Sequence, residues 1–223
     1  MIEFIPAKEN KLFVRVFRHY VWWLFRRKFR RVYIKHDYTP SAESKSIYYG
    51  NHNSWWDGLI PLLLNEFIFK QRARAIMEDK QMKKYPFFKW LGAFSVDRKH
   101  PRRAIYTLRY ALQSLNRTGA ALYLYPEGTI VPFTSSLQPT FEGGLTWLTT
   151  KVNNVDIVPM HIYINTYNSH KPDLVIWVSR PLQIEEAQTN ESIKNQLTSV
   201  AGSRLREVVG ILEPEKAGFE AII

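Results

Sequence analysis

The chain has 223 residues, of which 45% are hydrophobic, enough to bury one sizeable core and to exclude a disordered chain. It has no cysteine, which rules out disulfides, thiolate zinc sites and a cysteine nucleophile. Its formal charge of +11 is concentrated in the first half: residues 1–40 carry 10 Lys/Arg against 3 acids and residues 65–110 carry 12 against 4, whereas from 111 onward 11 acids face 8 bases. That asymmetry points to an anionic partner, whether nucleic acid, membrane surface or phosphorylated ligand.

The first element in chain order spans residues 8–35, where ten Lys/Arg are interleaved with Phe, Tyr and Trp. Basic residues at 8, 11, 15 and 18 recur at helical spacing, and Leu12, Val16, Tyr20 and Trp23 lie along another face. A basic, aromatic helix of this kind suits the headgroup region of a bilayer, with Trp22, Trp23 and Phe25 at the interface and Arg26, Arg27 and Arg30 on anionic lipid. The alternative is a surface helix docked on the domain through its aromatic face. The run HYVWWLF (19–25) is too short to span a bilayer and no small-residue cleavage site follows it, so an intracellular, peripheral protein is expected. The polar stretch 37–46, DYTPSAESKS, reads as a hinge.

Beyond it, strand-like and helix-like segments alternate. Strands are expected at 46–50, 73–77, 93–97, 121–125, 156–164 and 174–179, and helices at about 55–69, 80–90, 101–116, 144–152 and 190–210. The pattern predicts a single α/β domain with a central mixed, partly parallel sheet flanked by helices, plus the basic N-terminal helix. In such a sheet, binding residues gather where strand ends meet helix starts.

Two such junctions contain candidate chemistry. In GNHNSWWDG (50–58), His52 follows a strand, Ser54 is a good helix N-cap and Asp57 stands third after it, close to a capping-box pattern. Capping alone accounts for Asp57 but gives His52 no role. The same spacing also allows a carboxylate to orient an imidazole as a general base, and the segment by itself leaves both readings open. In ALYLYPEGTI (121–130), a buried strand ends in Pro126-Glu127-Gly128-Thr129, either as a terminating turn or as a carboxylate and backbone N–H groups displayed at the rim of the sheet.

Together these segments resemble the glycerolipid acyltransferase family, which contains the lysophosphatidic acid acyltransferases. Four motifs occur in the family's order: Asn51-His52-x4-Asp57, Gly92-x-Phe94-x-x-x-Arg98, Pro126-Glu127-Gly128-Thr129, and a proline in an apolar strand, Ile157-Val158-Pro159-Met160. The resemblance covers roughly residues 45–180. It implies acyl transfer from an acyl-CoA or acyl carrier protein thioester to a lipid hydroxyl, with the thioester as co-substrate and neither cofactor nor metal. His52 would be the base and Asp57 its partner; Arg98, Glu127, Gly128 and Thr129 would bind the acceptor, and Pro159 would shape the acyl side. Residues 1–40 would form a membrane-interface region and 41–223 the acyltransferase domain, on the cytoplasmic face of a membrane.

Two positions depart from the family. Ile130 and Val131 stand where Arg-Ser usually follows the third motif, and Phe141-Glu142-Gly143-Gly144 stands where Phe-Lys-x-Gly is frequent. A phosphate on the acceptor would then rely on Arg98, Lys99, Arg102 or Arg103, and an acceptor without phosphate, such as a monoacylglycerol or glycolipid, is the alternative. From other classes, the alternatives are a basic nucleic-acid-binding module and a non-catalytic lipid-binding scaffold. The first lacks RNA-binding aromatic signatures and recognition-helix spacing, and no nucleic acid is expected; the second leaves the His-Asp pair idle. The remaining histidines read plainly: His161 as a satisfied core or rim residue, His100 as a surface residue beside basic neighbours, and His19, His36 and His170 as too scattered for a metal site.

Overall fold

The computed structural model describes residues 4–167, 169–185 and 187–223. Its elements are α1 (Lys11–Lys28), β1 (Arg31–His36), β2 (Ser46–Gly50), α2 (Ile60–Leu64), β3 (Arg72–Glu78), α3 (Asp79–Lys84), β4 (Ala93–Val96), α4 (Pro101–Leu115), β5 (Ala120–Leu124), α5 (Phe133–Ser136), α6 (Gly143–Thr149), β6 (Asp156–Asn165), β7 (Asp173–Val178), α7 (Asn190–Val209) and β8 (Glu220–Ala221). The eight strands form one sheet in the order β4-β3-β5-β2-β6-β7-β1-β8. From β4 to β6 all pairs are parallel, as is β7 with β1; β6–β7 and β1–β8 are antiparallel. The sheet is therefore mixed and mostly parallel.

Side-chain alternation sorts the strands into two cores. On one face Tyr48, Tyr123 and Val158 pack with Val21 and Phe25 of α1 and with Leu63 and Leu64 of α2. On the other, Ile47, Tyr49, Leu122 and Ile157 pack with Leu115 of α4, Leu148 of α6 and Leu197 of α7. Helices cover both faces of the central strands, which is why those strands read as continuous apolar runs rather than alternating ones.

The basic N-terminal segment is helical only to Lys28. Arg31–His36 is a strand lying between β7 and β8, in parallel register with β7 from Arg31↔Asp173 to His36↔Val178. The β-branched and aromatic run Val32-Tyr33-Ile34 explains this, because its side chains are buried in the sheet. Arg30 at the junction pairs with Asp173. The expected helix 55–69 is one helical path with three windings: a 3-10 turn (Trp55–Leu59), α2, and a π turn (Asn65–Phe69). The expected helix 80–90 breaks before Pro86, and its second half, Pro86–Leu91, is a 3-10 turn.

Candidate active site

The site lies beyond the C-terminal ends of β2 and β5. At Gly50 the ladder between β2 and β6 ends, and the Asn51 side chain continues it. Its amide donates to the Ile162 carbonyl (2.8 Å) and accepts from the Ile162 N–H (2.9 Å). A side chain thus stands in for backbone, freeing the main chain to turn away from the sheet and present His52. Ser54 then caps the 3-10 turn in a full capping box: its hydroxyl accepts from the Trp56 N–H (2.9 Å) while Asp57 accepts the Ser54 N–H (2.8 Å).

Asp57 is also hydrogen-bonded to the imidazole. His52 Nδ1 lies 3.0 Å from Asp57 Oδ2, the oxygen that accepts the Asn53 and Ser54 N–H groups. Oδ1 is buried with no partner among the described residues. The carboxylate side chain is 1% exposed and the imidazole 20%, so the charge is dry and the ring still reaches the surface of a cavity. The Tyr125 ring stacks against the imidazole, with centroids 4.6 Å apart and planes at 19°, and its hydroxyl donates to the Asp57 carbonyl. Burial, helped by the Asp57 charge, pushes the Tyr125 phenol well up, so it stays a proton donor there. With Nδ1 held by Asp57, Nε2 is the nitrogen left for the cavity that His52 lines.

Glu127 holds the loop rather than the ring. Its Oε2 accepts the His52 backbone N–H at 2.7 Å and its Oε1 accepts the Ser136 hydroxyl at 2.5 Å. Burial raises its carboxyl above the ordinary range, against the Ser136 and His52 hydrogen bonds that favour the ionised form. Asn53 completes the frame, donating to Ser136 Oγ (2.8 Å) and to the Val131 carbonyl (3.0 Å). Gly128 has φ +76°, and a Cβ there would stand 2.5 Å from Arg98 Nη1 and 2.7 Å from Glu142 Oε1, so only glycine fits beside that ion pair. Gly92 is constrained in the same way at φ +96°, where a Cβ would meet the Ala73 carbonyl at 2.6 Å.

The cavity measures about 540 Å³ and is mainly apolar. His52, Trp55, Arg98, Gly128 and Thr129 line it, so most of the sequence-predicted site residues converge. Pro159 does not line it; it sits in β6 beside Tyr49, packed within the sheet. Of the expected interface residues, Phe25 is fully buried and stacks edge-on with Trp56, Trp22 packs on Phe67, and Arg30 is paired with Asp173. Trp23, Arg26 and Arg27 are exposed. His161 is a satisfied core residue, bonded to Ser179 Oγ at 3.1 Å.

A protein-family model described as Acyltransferase matches residues 30–163, a span that holds both junctions and the Arg98 strand end. The chain belongs to the acyltransferase family. Ten chains of solved structures match it. Among them is the crystal structure of the 1-acyl-sn-glycerophosphate (LPA) acyltransferase PlsC from Thermotoga maritima, with a TM-score of 0.63, 17% identity, and coverage of 89% of this chain and 81% of that chain. At that identity the likeness is one of fold. No curated protein matches the sequence.

Several residues that frame this site have no local signal in the sequence. Ser136 reaches Glu127 from the short α5, nine residues on, and Tyr125 acts by lying under a ring 73 residues away in sequence. Asn53 is polar in a polar loop, and only its contacts distinguish it.

Proposed function

We propose that this acyltransferase moves a fatty acyl group from an acyl-CoA or acyl carrier protein thioester to the hydroxyl of a lipid, with His52 as general base and Asp57 as its orienting partner. The observation that supports this best is the 3.0 Å Nδ1–Oδ2 contact at the wall of an apolar cavity. Glycerolipids are the acceptor class carried over from the motifs and from the fold neighbour PlsC, a 1-acyl-sn-glycerophosphate acyltransferase.

In this reading Nε2 takes the hydroxyl proton as the oxygen attacks the thioester carbonyl. The Asp57 carboxylate stabilises the imidazolium that forms. The tetrahedral intermediate then expels the thiolate, which takes the proton from His52, so no covalent enzyme intermediate arises. The amides nearest the pair are already used: Asn53 and Ser54 on Asp57, His52 on Glu127, and Gly128 on the Tyr125 carbonyl at 3.0 Å. Thr129 and Ile130 line the cavity and their N–H groups have no acceptor among the described residues, which favours them as oxyanion donors.

The same proposal has α1 rest on an anionic membrane. Leu12 (70% exposed), Val16 (63%), Tyr20 (50%) and Trp23 (51%) form a continuous apolar stripe beside Arg15, Arg26 and Arg27. Among the described residues no helix is long and apolar enough to cross a membrane. The deciding experiment follows thiol release from acyl-CoA with lipid acceptor present: His52→Ala should abolish it while circular dichroism is unchanged. Undiminished turnover in that variant would remove His52 from the mechanism.

A further inference from the structure

Among the described residues that line the cavity, Arg98 is the one permanent cation, and its Nη1 is already engaged. Arg98 Nη1 donates to Glu142 Oε1 at 2.6 Å, and Nη2 lies 3.8 Å from Glu78 Oε1. Both glutamates line the cavity with it. One guanidinium and two carboxylates leave their end of the cavity with an excess of negative charge. Glu142 occupies the position where the family frequently has lysine, so the reversal is written in the sequence and closed in space by the ion pair.

No other Lys or Arg lines this cavity among the described residues. Arg103 donates to Asp97 at 2.9 Å, His100 Nδ1 lies 2.7 Å from the same carboxylate, and neither lines the cavity, nor do Lys99 and Arg102. Ile130 stands at the cavity wall where the third motif usually has arginine. Arg98 Nε is buried without a partner among the described residues, so a phosphate monoester, largely doubly ionised at neutral pH, has a donor there but must sit beside two like charges.

Donor and acceptor roles lead to the same place. Ionised Glu78 and Glu142 only accept hydrogen bonds, so they match groups that donate. Phosphate oxygens only accept. A cationic headgroup would have to compete with Arg98 for Glu142, or sit beside that guanidinium on Glu78. Hydroxyls donate to the carboxylates and accept from the guanidinium without disturbing the pair, and the exposed Trp55 ring that lines the same cavity adds apolar surface.

We propose that the acyl acceptor is a lipid with an uncharged, hydroxyl-bearing headgroup and no phosphate, selected by the Glu142–Arg98–Glu78 cluster. This rests on the acyl-transfer reading above and narrows its acceptor.

The test offers labelled acyl-CoA, and in parallel labelled acyl carrier protein, with four acceptors in neutral detergent micelles. These are 1-monoacylglycerol, a monoacylated glycosylglycerol, 1-acylglycerol-3-phosphate and a single-chain amino alcohol. The expected result is a kcat/KM for the uncharged acceptors at least about tenfold above that for the phosphate (~1.4 kcal/mol), with the amino alcohol also poor. Glu142→Gln, at a half-exposed side chain, should keep the fold by circular dichroism and raise the phosphate acceptor relative to monoacylglycerol; Glu142→Lys should raise it further. A wild-type preference for the phosphate or the amine, or a ratio unmoved by both Glu142 variants, overturns the inference and leaves acyl transfer standing. Absence of ester from every acceptor removes acyl transfer itself. Acceptor binding to His52→Ala, measured in the same micelles, then still decides the headgroup: tighter binding of the phosphate acceptor than of monoacylglycerol overturns the inference on its own.

Discussion

Glu127 grips His52 by its backbone: the amide N–H of the histidine donates to the carboxylate at 2.7 Å, while the imidazole is held separately by Asp57 at 3.0 Å. Two carboxylates thus fix one residue, one through its main chain and one through its ring. Their substitutions should therefore fail differently.

Asp57→Asn should lower kcat by about 10²–10⁴-fold. The amide can still accept the Asn53 and Ser54 N–H groups, so the capping box and the melting temperature should largely persist. It can no longer stabilise an imidazolium. Steady-state kinetics together with thermal denaturation check both halves.

Glu127→Gln offers an N–H where an acceptor is needed, either to the His52 amide or to the Ser136 hydroxyl. The loop should shift rather than the chemistry vanish, with kcat falling on the order of 10–100-fold. Because Glu127 positions the base without sharing its proton, the pH profile of kcat should keep its shape. A profile displaced along the pH axis would instead place the carboxyl in the proton transfer.

Phe25 and Trp23 lie two residues apart on α1, one buried and one half exposed. Phe25→Ala should cost about 3–5 kcal/mol of stability, read from urea denaturation, with little specific effect on vesicle binding. Trp23→Ala, combined with Leu12→Ser and Val16→Ser, should leave stability nearly unchanged and weaken co-sedimentation with anionic vesicles several-fold. Unchanged co-sedimentation would remove α1 from the membrane contact.

His161 supplies a pH test of the core. Burial, with the nearby Arg204 charge adding, holds its imidazole down at about 3, against an ordinary value of 6.5. Between those values the unfolded chain takes up a proton that the folded chain refuses, so stability is present above 6.5 and is lost as pH falls toward 3. His161→Gln keeps a partner for Ser179 and removes the titration. The difference in unfolding free energy between variant and wild type should shift in the variant's favour by roughly 5 kcal/mol as pH falls across that window.

The alternation of strands and helices was readable because the central strands are buried on both faces and their boundaries fall at Gly and Pro. β1 escaped because its short apolar core, Val32-Tyr33-Ile34, is embedded between Arg31 and Lys35 in a basic run whose helical spacing dominates the segment. The same effect misplaced Phe25: period alone identifies a face, but not whether solvent or Trp56 covers it. At the site, Ser54 and Asp57 were legible because capping is local, and His52, Glu127 and Arg98 because spaced motifs preserve order along the chain. The Arg98–Glu142 pair was not, since it joins segments 44 residues apart that the fold brings together, nor was Glu127–Ser136, whose nine-residue spacing matches no local motif.

Only Phe29 and Arg30 separate α1 from β1, and β1 lies between two other strands with Arg30 tied to Asp173. So short a join, pinned at both ends, leaves the helix no swivel. Whatever surface receives the Leu12–Trp23 stripe therefore sets the tilt of all eight strands at once. Under the proposed mechanism it would also set the compass bearing from which a lipid tail approaches His52.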